Sequence, residues 1–109
     1  MATDKEIKLI VQLLDKTRKK ILSWEPTAEE DEFFSTLEGN VSFTVREGQT
    51  REFLTMRDEH DRVLLTVNSN DVNEVSQLYA EARRQALKVD ESLDGILERL
   101  TKLDQRKGA

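Results

Sequence analysis

The stretch VNEVSQLYAEARRQALKVDESLDGILERLTKL, residues 72–103, decides the fold. Its apolar residues Val72, Val75, Tyr79, Ala82, Ala86, Val89, Leu93, Ile96, Leu100 and Leu103 recur at alternating steps of three and four, and no charge enters the stripe. An a/d repeat sustained this long predicts one long packed helix, or two helices kept in phase. A break is available at Val89-Asp90-Glu91, where Asp90 can cap a new helix. A true break has no reason to preserve the phase, so a continuous helix, or one bent near Asp90, is expected. Gly95 is its weak spot, costing up to about 1 kcal/mol relative to alanine.

Upstream of the stripe the period changes from helical to alternating. Val41, Phe43 and Val45 alternate with Ser42, Thr44 and Arg46, the pattern of a half-buried strand. Phe33–Leu37 precedes it across Glu38-Gly39-Asn40, and Thr50–Arg57 and Arg62–Val67 follow across Glu47-Gly48-Gln49 and Asp58-Glu59-His60-Asp61. In the third of these strands Leu54 and Met56 point inward, and Phe53 falls on the outer face or in a second small cluster. In the last, Val63, Leu65 and Val67 share one face. The expectation is a three- or four-stranded antiparallel meander. Asn68-Ser69-Asn70-Asp71 ends it and supplies N-cap oxygens for the helix that follows.

The chain opens with a helix expected over 4–22. Thr3 and Glu6 make a capping box, and Ile7, Ile10, Val11, Leu14, Ile21 and Leu22 form its apolar face. Lys16, Arg18, Lys19 and Lys20 gather at its C-terminal end, where the helix dipole favours cations. Pro26 sets the downstream limit of that helix, because a proline pushes the residue before it out of the α region. Residues 25–32 are expected to be a loop, and Trp24 a core plug between helix and sheet. The fold class is therefore α+β: an N-terminal helix, the meander and a long C-terminal helix. It forms a single domain over 1–104, with a polar frayed tail over 105–109.

Composition narrows the function. The 109 residues have no cysteine, which excludes thiol catalysis, disulfides and zinc–thiolate sites. Glycines 39, 48, 95 and 108 are too scattered for a phosphate-binding loop, and no cofactor is expected. His60, the one histidine, sits among acids in a turn whose spacing matches no calcium loop, so no metal site is expected. Glu29 to Glu32 are read as solvated acids, and no catalytic residue is expected. A net charge of −5 and few aromatics disfavour nucleic acid. No apolar run is long enough to span a membrane, and the start Met1-Ala2-Thr3-Asp4-Lys5 has no apolar segment of a signal peptide. The expected location is cytoplasmic. Charge is uneven: residues 4–22 carry six bases against three acids, whereas 23–32 carry five acids and no base.

The run Leu78 to Glu91 has the form L-Y-x-x-A-R-R-x-A-L-x-V-D-E, with Trp24-Glu25-Pro26 upstream. Over about 20–100 it resembles a group of small uncharacterised bacterial proteins. The resemblance implies an α–β-meander–α module in a bacterial source. It attaches no activity and transfers no functional residue, and it directs attention to Trp24, Tyr79, Arg83 and Arg84.

A helix unbroken from Asp71 to Asp104 would run about 50 Å at roughly 1.5 Å per residue, against a diameter of about 35 Å for a globule of this length. It should overhang its own domain. The overhanging half carries Val89, Leu93, Ile96, Leu97, Leu100 and Leu103, the residues of a helical seam, expected to pair with a symmetry mate or with a neighbour's N-terminal helix in a homodimer. If the helix instead broke at Asp90, the distal part would fold back on its own N-terminal helix. The functional expectation is a non-enzymatic protein-interaction or regulatory module with a possible protein partner beyond itself. The alternative is a small-ligand or anion sensor using Arg83, Arg84 and Trp24.

Overall fold

The structure, a computed structural model, describes residues 2–107, and side chains as far as Leu103. Helix α1 spans Asp4–Arg18. Its capping box is in place: the Glu6 N–H donates to Thr3 Oγ1 at 3.2 Å and the Thr3 N–H to Glu6 Oε2 at 3.2 Å. Ile10, Leu13, Leu14 and Thr17 are its buried residues, while Ile7 and Val11 lie at the margin, 38% and 44% exposed.

The helix ends four residues short of the expected limit, and Pro26 does not end it. Lys20 adopts φ +62°, and the Ile21 and Leu22 N–H groups turn back to Lys16 O. This left-handed reversal drops Leu22 and Trp24 into the core and leaves Ile21 on the surface, 70% exposed. The expected placement of Ile21 on the buried helical face is thereby corrected.

Five antiparallel strands follow, in spatial order β1-β2-β3-β4-β5: β1 Glu25–Pro26, β2 Glu32–Leu37, β3 Val41–Glu47, β4 Glu52–Arg57 and β5 Val63–Asn68. Four of them match the alternating segments. The fifth, β1, corrects the loop expected over 25–32 and the count of three or four strands. It pairs Glu25 with Phe34 and Pro26 with Phe33. A proline, lacking an N–H, is tolerated there because β1 is an edge.

One sheet face packs against α1 and α2 (Glu74–Ala86). Phe33, Phe43, Val45, Leu54 and Val67 meet Ile10, Leu13, Trp24, Val75, Leu78, Tyr79 and Ala82 in one core, with the Phe33 and Tyr79 ring centroids 5.8 Å apart. The other face carries the row Phe34, Thr44, Thr55 and Thr66 across β2 to β5. Phe53 lies on that outer face as expected, beneath the Arg46 guanidinium 4.4 Å from its ring centroid. A bulge at Met56/Arg57 shifts the end of β5, and Val63 there is 56% exposed.

The C-terminal helix is split. α2 ends with Leu87 as its C-cap, Lys88 takes φ +55°, and α3 runs Val89–Lys107. The Leu87 N–H reaches Arg83 O and the Lys88 N–H reaches Gln85 O, so the last carbonyls of α2 are satisfied by a left-handed cap. The Ser92 N–H then bonds Lys88 O to start α3. The expected continuous or bent helix is therefore corrected, and the break lies just before Asp90. The fold-back is not seen either: every residue from Asp90 to Leu103 is exposed. α3 projects and stretches the molecule to 62 × 28 × 25 Å, with a radius of gyration of 17.3 Å, where about 13 Å is usual for a compact chain of this length. Of the expected tail, 105–107 continue α3 and 108–109 lie outside the described residues.

Candidate interaction surface

The residues of the expected seam lie together on α3. Val89 is half-buried at the junction, and Leu93, Ile96, Leu97, Leu100 and Leu103 are 45–59% exposed. At 100° per residue these side chains make one ridge, with Leu97 widening it. The ridge is flanked asymmetrically: Asp90 and Asp94 lie along one side and Arg99 along the other, with Glu98 and Lys102 on the opposite face of the helix. Lys102 Nζ reaches back to Glu98 at 3.5 Å across the outer face.

A second apolar surface lies on the body of the domain. Between α1 and β2 runs a groove of about 700 Å³. Leu9 and Leu13 of α1, together with Leu22 and Phe43, form its floor. Ile21 and Leu37, 70% and 51% exposed, stand on its rim. The groove exists because β1 is so short. It covers Phe33 and Phe34 and leaves Ser35–Leu37 of β2 without a strand neighbour on that side. The Ser35 hydroxyl donates instead to Ser23 O at 2.6 Å. Gln12 and Lys16 line the α1 wall, and Lys5, Lys8 and Lys19 continue their exposed row at steps of three and four along the same helix. The opposite wall carries Glu25 and Glu38. The sequence hid this groove because Ile21 reads as a helical core residue and the Glu25–Pro26 strand has no periodicity.

Of Trp24, Tyr79, Arg83 and Arg84, the last three line one cleft and Trp24 lies outside it. Trp24 is buried, and its Nε1–H donates to Thr17 Oγ1 at 2.9 Å, while the Thr17 hydroxyl donates to Leu13 O at 2.7 Å. Gln85, which the stripe did not single out, accepts the Trp24 N–H at 2.6 Å and donates to Leu22 O at 3.3 Å. It pins the α1–β1 connection to α2. Arg84 borders a cleft of about 490 Å³ beside Trp24, and its Nε donates to Asp90 Oδ1 at 3.1 Å.

Tyr79, Arg83 and Arg84 share a second, smaller cleft of about 400 Å³ that also holds Glu47, Glu52 and Glu81. Burial pushes the Tyr79 hydroxyl above its ordinary pKa. Glu47 and Asp31 push the same way, and Arg83 opposes them. Glu52 is occupied by the Ser69 and Ser76 hydroxyls at 2.8 and 3.3 Å.

The His60 turn is held by Asp58. One carboxylate oxygen accepts the His60 and Arg62 N–H groups at 2.9 and 3.0 Å, and the other accepts Arg62 Nε at 2.7 Å. The Arg62 backbone bond, ahead of the other contacts, holds the Asp58 carboxyl below the ordinary carboxylate range. This is turn architecture, and among the described residues no three metal-capable side chains are grouped. No helix among them is long and apolar enough to cross a membrane. Compared with protein-family models, curated proteins and solved structures, the chain matches none.

Proposed function

We propose that this chain is a non-enzymatic interaction module of the bacterial cytoplasm that assembles as a homodimer through α3 and presents a regulatory surface to another protein. The observation that carries the reading is the α3 ridge, where five large apolar side chains stand half exposed on a helix projecting from its domain. A contiguous apolar strip rimmed by charges marks an association surface. The anion-sensor reading has less to draw on. Trp24 is committed to Thr17 and Gln85 and lies outside the cleft that Arg83 and Arg84 share. Arg84 is held by Asp90, and the acids Glu47, Glu52 and Glu81 in that cleft oppose an anion.

The test is the solution mass, by light scattering, of the wild type and of Leu100→Glu. The expected result is twice the chain mass for the wild type, and a folded monomer for the variant with unchanged circular dichroism. Leu100 is already half exposed in one copy, so a glutamate there burdens only the assembled state. A monomeric wild type would sink the reading.

A further inference from the structure

We infer that the ridge of α3 docks into the α1–β2 groove of a second copy, and that the dimer forms by mutual exchange of α3 rather than by α3 pairing with α3. The inference rests on the self-association proposed above and names its occupant.

Charge complementarity carries it. The ridge has Asp90 and Asp94 on one flank and Arg99 on the other, while Glu98 and Lys102 pair on the outer face. The groove has Lys16 on its α1 wall, where Lys5, Lys8 and Lys19 continue the row along the helix beyond the lining, and Glu25 and Glu38 on the other wall. A ridge laid in the groove with its acidic flank toward α1 matches both walls at once. Lys16 and Lys19 meet Asp15 at 3.5 and 3.1 Å and Asp90 meets Arg84, which offsets part of both rows, but Lys5, Lys8 and Asp94 have no such partner among the described residues. Homotypic pairing is less well matched. An antiparallel pair of α3 helices brings each flank against its own kind, and only a parallel pair sets acids opposite bases.

The lengths of the two helical rows agree. The stripe from Lys5 to Lys19 and the ridge from Val89 to Leu103 each cover fourteen residue steps, or about 21 Å of helix. The groove and the ridge are both apolar surfaces left open in one copy, and α3 lines no part of its own copy's groove. Exchange covers both surfaces on both chains and so makes the contact twice under one two-fold axis. A single α3 pair would leave two apolar grooves exposed and bury one short strip, where a stable interface needs about 1,200–2,000 Å².

The experiment compares the dimer dissociation constants, by sedimentation, of the wild type and of Ile21→Asp combined with Leu37→Asp. Both side chains are more than half exposed in one copy, so the double variant should fold with an unchanged melt. Exchange predicts dimerisation weakened by about 100-fold or more, since each contact then buries carboxylates. It also predicts that the double variant mixed with Leu100→Glu forms a heterodimer through the one contact left intact. A double variant that dimerises as tightly as the wild type, with no heterodimer in the mixture, would overturn exchange in favour of α3 pairing with α3 and leave the proposed function standing. A monomeric wild type would remove both.

Discussion

Val75, Tyr79 and Ala82 of α2 and Leu93, Ile96, Leu100 and Leu103 of α3 continue one heptad register, but the first group is at most 5% exposed and the second is 45–52% exposed. The residue types foretell the difference. Small residues in α2 let the sheet approach, and Leu78 beside them is fully buried. The leucines and isoleucine of α3 are long enough to reach a partner but meet no sheet. Register alone reports that a helix has a side to bury. Side-chain size, and where the chain bends, decide what that side is buried against.

The largest effect expected from this contrast is at Leu78. Leu78→Ala opens a cavity under the sheet and should cost about 2–5 kcal/mol of domain stability in urea melts. The same change at Leu97, 59% exposed, should stay within about 0.5 kcal/mol at concentrations where the chain is monomeric. Comparable losses at the two positions would show that α3 packs against its own domain, and would erase the distinction.

Lys88 offers a smaller effect with a decisive sign. At φ +55° it pays the left-handed penalty of an L-residue at the junction. Lys88→Gly should stabilise the domain by up to about 1 kcal/mol, because glycine is the preferred residue just past a helix C-cap. In a continuous helix the same substitution would destabilise by about 1 kcal/mol. The direction of the shift in the melt therefore distinguishes split from unbroken.

These positions also explain which parts of the fold could be read in advance. The four alternating strands and their turns were legible because period 2 and the turn residues agree; Glu38 and Gly39, with φ +54° and +78°, sit where the turn was expected. The capping box and the burial of Trp24 were legible for the same reason: one residue type, one role. The two helix ends were not, because each is made by a lysine in the left-handed region, Lys20 and Lys88, where a glycine would have announced a stop. Those two reversals account for the misplacement of Ile21, the unbroken last helix and the unseen groove. β1 escaped notice because two residues carry no period and one is a proline. The apolar ridge on α3 was legible from its pattern. The groove was not, since it is built by what the chain does after Lys20 rather than by a motif.

The smallest effect concerns how α3 is aimed. Arg84 and Asp90 pair across the Lys88 reversal with side chains 53% and 67% exposed. An exposed pair of this kind contributes at most about 1 kcal/mol and is screened by salt, so Arg84→Ala should leave the melt almost unchanged. Its effect should appear instead in the spread of α3 directions, because the pair ties the last turn of α2 to the first turn of α3. The chain has no cysteine, so spin labels at Thr66→Cys and Lys102→Cys would report one distance from sheet to distal helix. In a monomeric Leu100→Glu background that distance distribution should broaden in Arg84→Ala, and in the parent as salt is raised. An equally narrow distribution without the pair would assign the direction of α3 to the left-handed cap at Lys88 and the half-buried Val89 alone, and the asymmetry between the two helices would then be set by backbone geometry rather than by charge.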